Sequence, residues 1–305
     1  MRTAAIPLKF RDSFHPYAIT TILFWSLAFV FTRMAMQHFS AFSVGFLRYL
    51  AASLALVAVV FVARIKPPAL ADLKWFLLAG ALGFALYVVL FNKGCETVTA
   101  ATGSTILATV PVLTALLARV VYREKLRAFQ WIATAVEFSG VVILTLMDGV
   151  FSFNPGLLWL FAGALSLSCY NLLQRRLTKT YSGLQTSAYG IFAGTLMLSV
   201  FAPGAVREAQ TASPTQLLMI AVLGVFSSAI GYGTWSQAFK KAKLSSSVSN
   251  YMFVTPLLSS ILAFALAGEK PDLPTVVGGS IILLGVLLFN FGGMLHSKTK
   301  AEGLA

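Results

Sequence analysis

Apolar residues fall in ten stretches, each closed by a short polar turn: Tyr17–Met36, Phe42–Ala63, Leu73–Phe91, Ala100–Tyr122, Phe129–Met147, Pro155–Leu173, Gln185–Ala202, Gln216–Gln237, Ser246–Ala267 and Pro274–Gly292. A helix that crosses the hydrocarbon core of a bilayer needs roughly 20 mostly apolar residues. The pattern therefore predicts an all-α membrane protein with ten transmembrane helices. The turns are too short to hold a soluble domain. Residues 1–16 form a basic, polar N-terminal segment, and residues 293–305 a polar tail. The first apolar run lacks a small-x-small cleavage site, so it is expected to remain as the first helix and not to be removed as a signal peptide.

The pattern also repeats. Shifted by 145 positions, Tyr87–Leu144 meets Tyr232–Phe289 without a gap. Tyr87 falls on Tyr232, Ser104 on Ser249, Pro111 on Pro256, Glu124–Lys125 on Glu269–Lys270 and Gly140–Val141 on Gly285–Val286. Apolar matches would arise between any two membrane helices. Prolines, Glu-Lys turns and glycines in one register would not. A long-period repeat in a membrane chain points to a transporter built from two related halves. The halves are residues 17–147 and 155–292, with five spans each. Five is odd, so the second half must be inverted relative to the first.

Composition and charge sharpen this picture. The chain is 58% hydrophobic and 11% charged, with a mean hydropathy of +0.82. Soluble domains carry about 25% charged residues. Of the 23 Lys and Arg residues, eighteen fall on one set of turns and four on the other, and Arg48 lies inside a span. Cationic turns stay in the cytoplasm, so both termini are expected there. The bias reverses between the repeats, as inversion requires. Arg119–Arg127 holds four basic residues, and its mate Phe264–Asp272 holds one. The net charge of +13 is accounted for by this bias and by anionic lipid, with no nucleic-acid partner required. Cys95 and Cys169 have no metal spacing and read as packed thiols. No metal or cofactor is expected.

Candidate chemistry rests on polar residues inside apolar runs. Arg48 lies about two turns into the second span, where a charge is costly and marks a functional position by default. Its bland alternative is a packing role against carbonyls or a polar neighbour. The hydroxyl-rich starts of the fourth and ninth spans carry Ser104 and, at the repeat position, Ser249 followed by Asn250. Each start then meets a proline, Pro111 or Pro256, that is expected to kink its helix. Capping or close helix packing would also use such residues. Trp25, Tyr87, Tyr170, Asn171 and Tyr232 complete the expected cavity. Trp235, close to Lys240–Lys243, fits an interfacial belt instead. Glu137 is the one acid placed deep in a span. It could couple transport to protons, pair with Arg48, or simply make a structural hydrogen bond. Spans five and ten are expected to form a peripheral pair, with Gly140 and Gly285 allowing close approach.

The runs Ala108–Ala118 and Val254–Ala263, each followed by a Glu-Lys turn and then Gly-Val, resemble the EamA repeat. Arg48 matches an arginine frequent in that repeat. The EamA family belongs to the drug/metabolite transporter superfamily, and the likeness covers nearly the whole chain. It implies inverted five-helix repeats, a central cavity and alternating access. Among bacterial members the chain is similar to the YddG-type amino-acid exporters, including exporters of aromatic amino acids. The expected function is thus export of small metabolites, above all amino acids, with the oligomeric state left open. A sugar-phosphate or nucleotide-sugar exchanger would want several cavity cations. A proton-coupled drug exporter would want a membrane carboxylate such as Glu137. An enzyme is not expected. His15, His38 and His296, and all four aspartates, fall outside the spans, so no Ser-His pair or Asp dyad is expected within the membrane.

Overall fold

The computed structural model describes residues 13–97, 106–146, 155–267 and 273–302, and all of its regular structure is helical. In chain order the helices are α1 (His15–Ala35), α2 (Ala41–Val62), α3 (Leu70–Thr97), α4 (Val110–Tyr122) and α5 (Ala128–Leu146). They continue with α6 (Pro155–Leu177), α7 (Gly183–Thr211) and α8 (Pro214–Lys241). The next, α9, runs through Ser245–Ser249, a 3-10 turn at Asn250–Phe253, and Val254–Ala267; α10 is Leu273–Glu302. Six of them, α1, α2, α3, α6, α7 and α8, are long and apolar enough to cross a membrane. Val110–Tyr122 and Val276–Gly292 are shorter apolar helices. The chain is a multi-pass membrane protein.

Local sequence sets the boundaries. Ser40 caps α2, its hydroxyl accepting the Ser43 N–H. Ser182 with Gln185 and Ser213 with Gln216 form capping boxes at α7 and α8, so serine and glutamine satisfy backbone groups that the first turn leaves open. At α4 the chain enters through a turn at Ala108–Thr109, and Pro111 occupies the first helical turn. A proline there removes an N–H that would have had no helical partner. In α9 the 3-10 turn precedes Pro256 in the same way. The interruption that each proline was expected to impose as a kink thus lies just ahead of it. Helix α10 continues to Glu302, where a polar tail was expected from residue 293. Between Gly293 and Gly303 the sequence holds no Gly or Pro to stop it.

Two helices carry π turns, at Ala81–Ala85 in α3 and Leu223–Ile230 in α8. Shifted by the repeat length, the first falls within the second. Helices α5 and α10 pair closely. A side chain at Gly140 would stand 2.7 Å from the Gly278 carbonyl oxygen, and one at Gly285 would collide with Glu137. Gly224 of α8 faces the Arg48 carbonyl oxygen, and an added Cβ there would come within 2.7 Å of it. This contact brings α8 against α2 at the level of Arg48. The main core gathers between α1, α2, α3, α6, α7 and α8 around Trp235, Tyr49, Tyr170, Tyr232 and Phe84, all essentially inaccessible.

Candidate functional site

A cavity opens beside this aromatic core. Helix α1 contributes Trp25, Ala28 and Phe29, α2 contributes Arg48, and α3 contributes Tyr87 and Phe91. Leu107 and Ala108, just ahead of α4, face Tyr232 of α8 and Met252, Thr255 and Pro256 of α9. Its volume is ≈ 40 Å³. A water takes about 10–15 Å³ on this measure, so about three would fill it. That is space for one polar group of a ligand.

Arg48 is the only buried basic side chain among the described residues. Its Nε donates to Ser228 Oγ at 2.6 Å, in the π turn of α8. The Nη groups make no hydrogen bond or ion pair to a described residue, so the planar end of the guanidinium is left for the cavity. Neighbouring aromatics are fixed. Trp25 Nε1 donates to the Ser227 carbonyl at 3.1 Å, and its ring lies 4.9 Å from those of Tyr232 and Trp235. The Tyr49 hydroxyl donates to the Tyr232 hydroxyl at 3.5 Å, and Phe84 packs 4.7 Å from the Tyr232 ring. Tyr87 stacks on Phe91 at 5.8 Å.

The other residues singled out in the sequence lie elsewhere. Asn171 is buried between helices. Its Nδ2 donates to Thr114 Oγ1 at 3.2 Å, and its Oδ1 accepts from Trp235 Nε1 at 2.9 Å. Trp235 is therefore fully buried and not part of an interfacial belt. Tyr170 is also inaccessible and packs its ring against Phe84 and Tyr232, behind the cavity wall. Ser249 Oγ donates back to the Ser246 carbonyl at 3.2 Å. Asn250 Nδ2 donates to Glu137 Oε1 at 2.9 Å, so Glu137 holds the broken segment of α9 and does not pair with Arg48. Its Oε2 has no partner among the described residues. Ser104 lies outside the described residues.

Sequence reasoning passed over Ser228, Thr255 and Glu124. Ser228 carried no signal of its own beyond a hydroxyl in an apolar run. Thr255 adjoins Pro256, where a side-chain hydroxyl lies near a broken helix. Glu124 was read only as part of a turn. It accepts from Arg175, from the Ser245 backbone N–H at 3.0 Å and from Ser246 Oγ at 3.4 Å. Arg175 also lies over the Tyr122 ring at 5.1 Å. One carboxylate thus ties the end of α4 to α6 and to the start of α9.

A helical membrane protein with a buried, half-engaged cation at an internal cavity has parts that a small-molecule transporter uses. The chain belongs to the EamA-like transporter family, whose profile matches residues 14–146 and again 154–291. It is 30% identical over 264 residues to "Uncharacterized transporter YdfC" of Bacillus subtilis, covering 86% of each chain. It is 29% identical over 272 residues to "Probable terminal-alkyne amino-acid exporter" of Streptantibioticus cattleyicolor, covering 89% of this chain and 91% of that one. Over 193 residues it is 27% identical to "S-adenosylmethionine uptake transporter" of Rickettsia prowazekii, covering 63% and 64%. A crystal structure with 17% identity superposes with a TM-score of 0.75 over 90% of this chain and 97% of the other, a likeness of fold.

Proposed function

We propose that this protein exports small metabolites, above all amino acids and aromatic ones among them, across a bacterial cytoplasmic membrane by alternating access. The observation that carries the reading is Arg48. A buried guanidinium with only its Nε engaged presents a planar pair of donors suited to a carboxylate. Trp25, Phe29, Tyr87, Phe91 and Tyr232 offer an aromatic surround for a side chain. The relative named as an amino-acid exporter supports the substrate class and direction. In this reading the ten helices form two inverted five-helix repeats with both termini in the cytoplasm, and the cavity lies where the halves meet. Support comes from the cavity lining itself, in which Tyr87 and Tyr232, and Leu107 and Met252, are repeat mates. The cavity is too small for a whole amino acid, so passage requires its walls to part. A phosphorylated substrate is disfavoured because, among the described residues, a single cation lines the cavity.

Glu137 is the candidate coupling group. Through Asn250 it holds the turn that also carries Met252 of the cavity wall. The test is counterflow of labelled amino acids in liposomes holding the purified protein, first at neutral pH on both sides and then with an imposed proton gradient. Saturable exchange, competed by other amino acids, is the expected result. Flux of phosphorylated sugars with no amino-acid movement would sink the reading.

A further inference from the structure

The cavity has a cation and, among the described residues, no anion to match it. Its lining holds Arg48 but neither Asp nor Glu, and no ion pair engages Arg48. The eight residues before Ile106, next in sequence to the lining, include no acid either. The acceptors on offer are neutral. Thr255 is 7% exposed, and its Oγ1 has no hydrogen-bond partner among the described residues. The Leu107 carbonyl cannot receive the usual helical N–H, because the residue four further on is Pro111; the Met252 carbonyl lacks that donor at Pro256 but takes the Val254 N–H instead. Trp25, Tyr87 and Tyr232 present ring faces, which attract cations modestly.

A buried cation without a counter-charge draws an anion and repels a second cation. A zwitterion satisfies the guanidinium with its carboxylate. Its ammonium then loses water beside a like charge, with only neutral acceptors in return. The same molecule without the amine keeps the gain and avoids that cost. We infer that this site recognises monocarboxylates with an aromatic or apolar body, and that the amino group of an amino acid is dispensable. Deaminated organic acids are therefore ligands of the same cavity. The inference rests on the reading of the cavity as the transport site, and it makes Arg48 the residue that sets substrate class.

Three probes with one body separate the two ends of an amino acid: 3-phenylpropanoate, phenylalanine and 2-phenylethylamine. Binding to the purified full-length protein at neutral pH is read by ligand-induced thermal shift and by competition between probes. The expected order places 3-phenylpropanoate equal to or tighter than phenylalanine, with 2-phenylethylamine at least about 100-fold weaker. Methyl 3-phenylpropanoate, which has the shape without the charge, is expected not to compete. R48Q should lose 3-phenylpropanoate binding by about 100-fold. R48K, a cation without the planar fork, should weaken it by about tenfold. Phenylalanine binding where 3-phenylpropanoate fails would overturn the inference, as would equal binding of the amine or the ester. If R48Q does not fold, the ester comparison on the unaltered protein still decides. Should none of the probes bind while another solute exchanges in liposomes, this inference falls and the transporter reading stands. Should they bind in the expected order while no solute exchanges, the carboxylate preference stands and the transporter reading falls.

Discussion

Glu124 and Arg48 are each 6% exposed, yet their surroundings differ sharply. Glu124 is saturated. It receives the Arg175 guanidinium, a backbone N–H and a hydroxyl, and these contacts join α4 to α6 and α9. Arg48 has one hydrogen-bond partner, Ser228, and a ring contact with Tyr49 at 5.6 Å, and its remaining donors turn to a cavity walled by rings. A buried charge whose bonds are all made inside the protein is a fastener. One left half-made can bind something else. Burial alone, which makes both residues costly to insert, does not separate these roles; the count of partners does.

The largest expected effect breaks the open side of this comparison. R48Q removes the charge and shortens the side chain, and counterflow of a labelled amino acid should fall by about 100-fold with little change in melting temperature. Glu124→Ala should do the opposite. It leaves Arg175 and the Ser245 N–H without their acceptor, and Arg175 is 23% exposed, which softens the loss. We expect a destabilisation of about 2–3 kcal/mol, read as an earlier thermal transition in detergent. Exchange by the protein that remains folded should be altered far less than in R48Q. A Glu124→Ala protein of unchanged stability would remove the fastener from the comparison.

Smaller changes sharpen the contrast. Ser228→Ala frees the Arg48 Nε and loosens the aim of the guanidinium without removing it, so apparent affinity should weaken by about threefold to tenfold. Glu137→Gln is close to isosteric and retains an acceptor for Asn250. In the proton-gradient arm of the liposome assay it should abolish the response to the gradient while leaving neutral-pH exchange nearly unchanged. A gradient response that survives in Glu137→Gln would reduce Glu137 to a second fastener.

Apolar runs near twenty residues made the helices readable, because a membrane span has few other ways to satisfy its backbone. Arg48, Trp25, Tyr87 and Tyr232 stood out for being charged or aromatic at polar or repeated positions, and the cavity gathers all four. Asn171 and Asn250 stood out equally, yet both are consumed by hydrogen bonds between helices. A polar residue in a span shows that a partner exists, but the partner belongs to another helix. The sequence does not say whether that helix or a solute provides it. Trp235 was misplaced for a related reason. Its distance from Lys240 matched an interfacial depth, while its ring faced inward to Trp25 and Asn171.

The π turns of α3 and α8 bear on the motion that transport demands. Each is a widened turn, and each lies immediately upstream of a cavity tyrosine, Tyr87 or Tyr232. An ordinary helix advances about 100° per residue. Were a widened turn to slide one residue along its helix, the side chains it passed would swivel by about that angle while both ends of the helix stayed anchored. These two helices thus contain their own slack. A ring at the cavity could swing aside by re-winding a few hydrogen bonds, with no need to drag a whole span through the lipid.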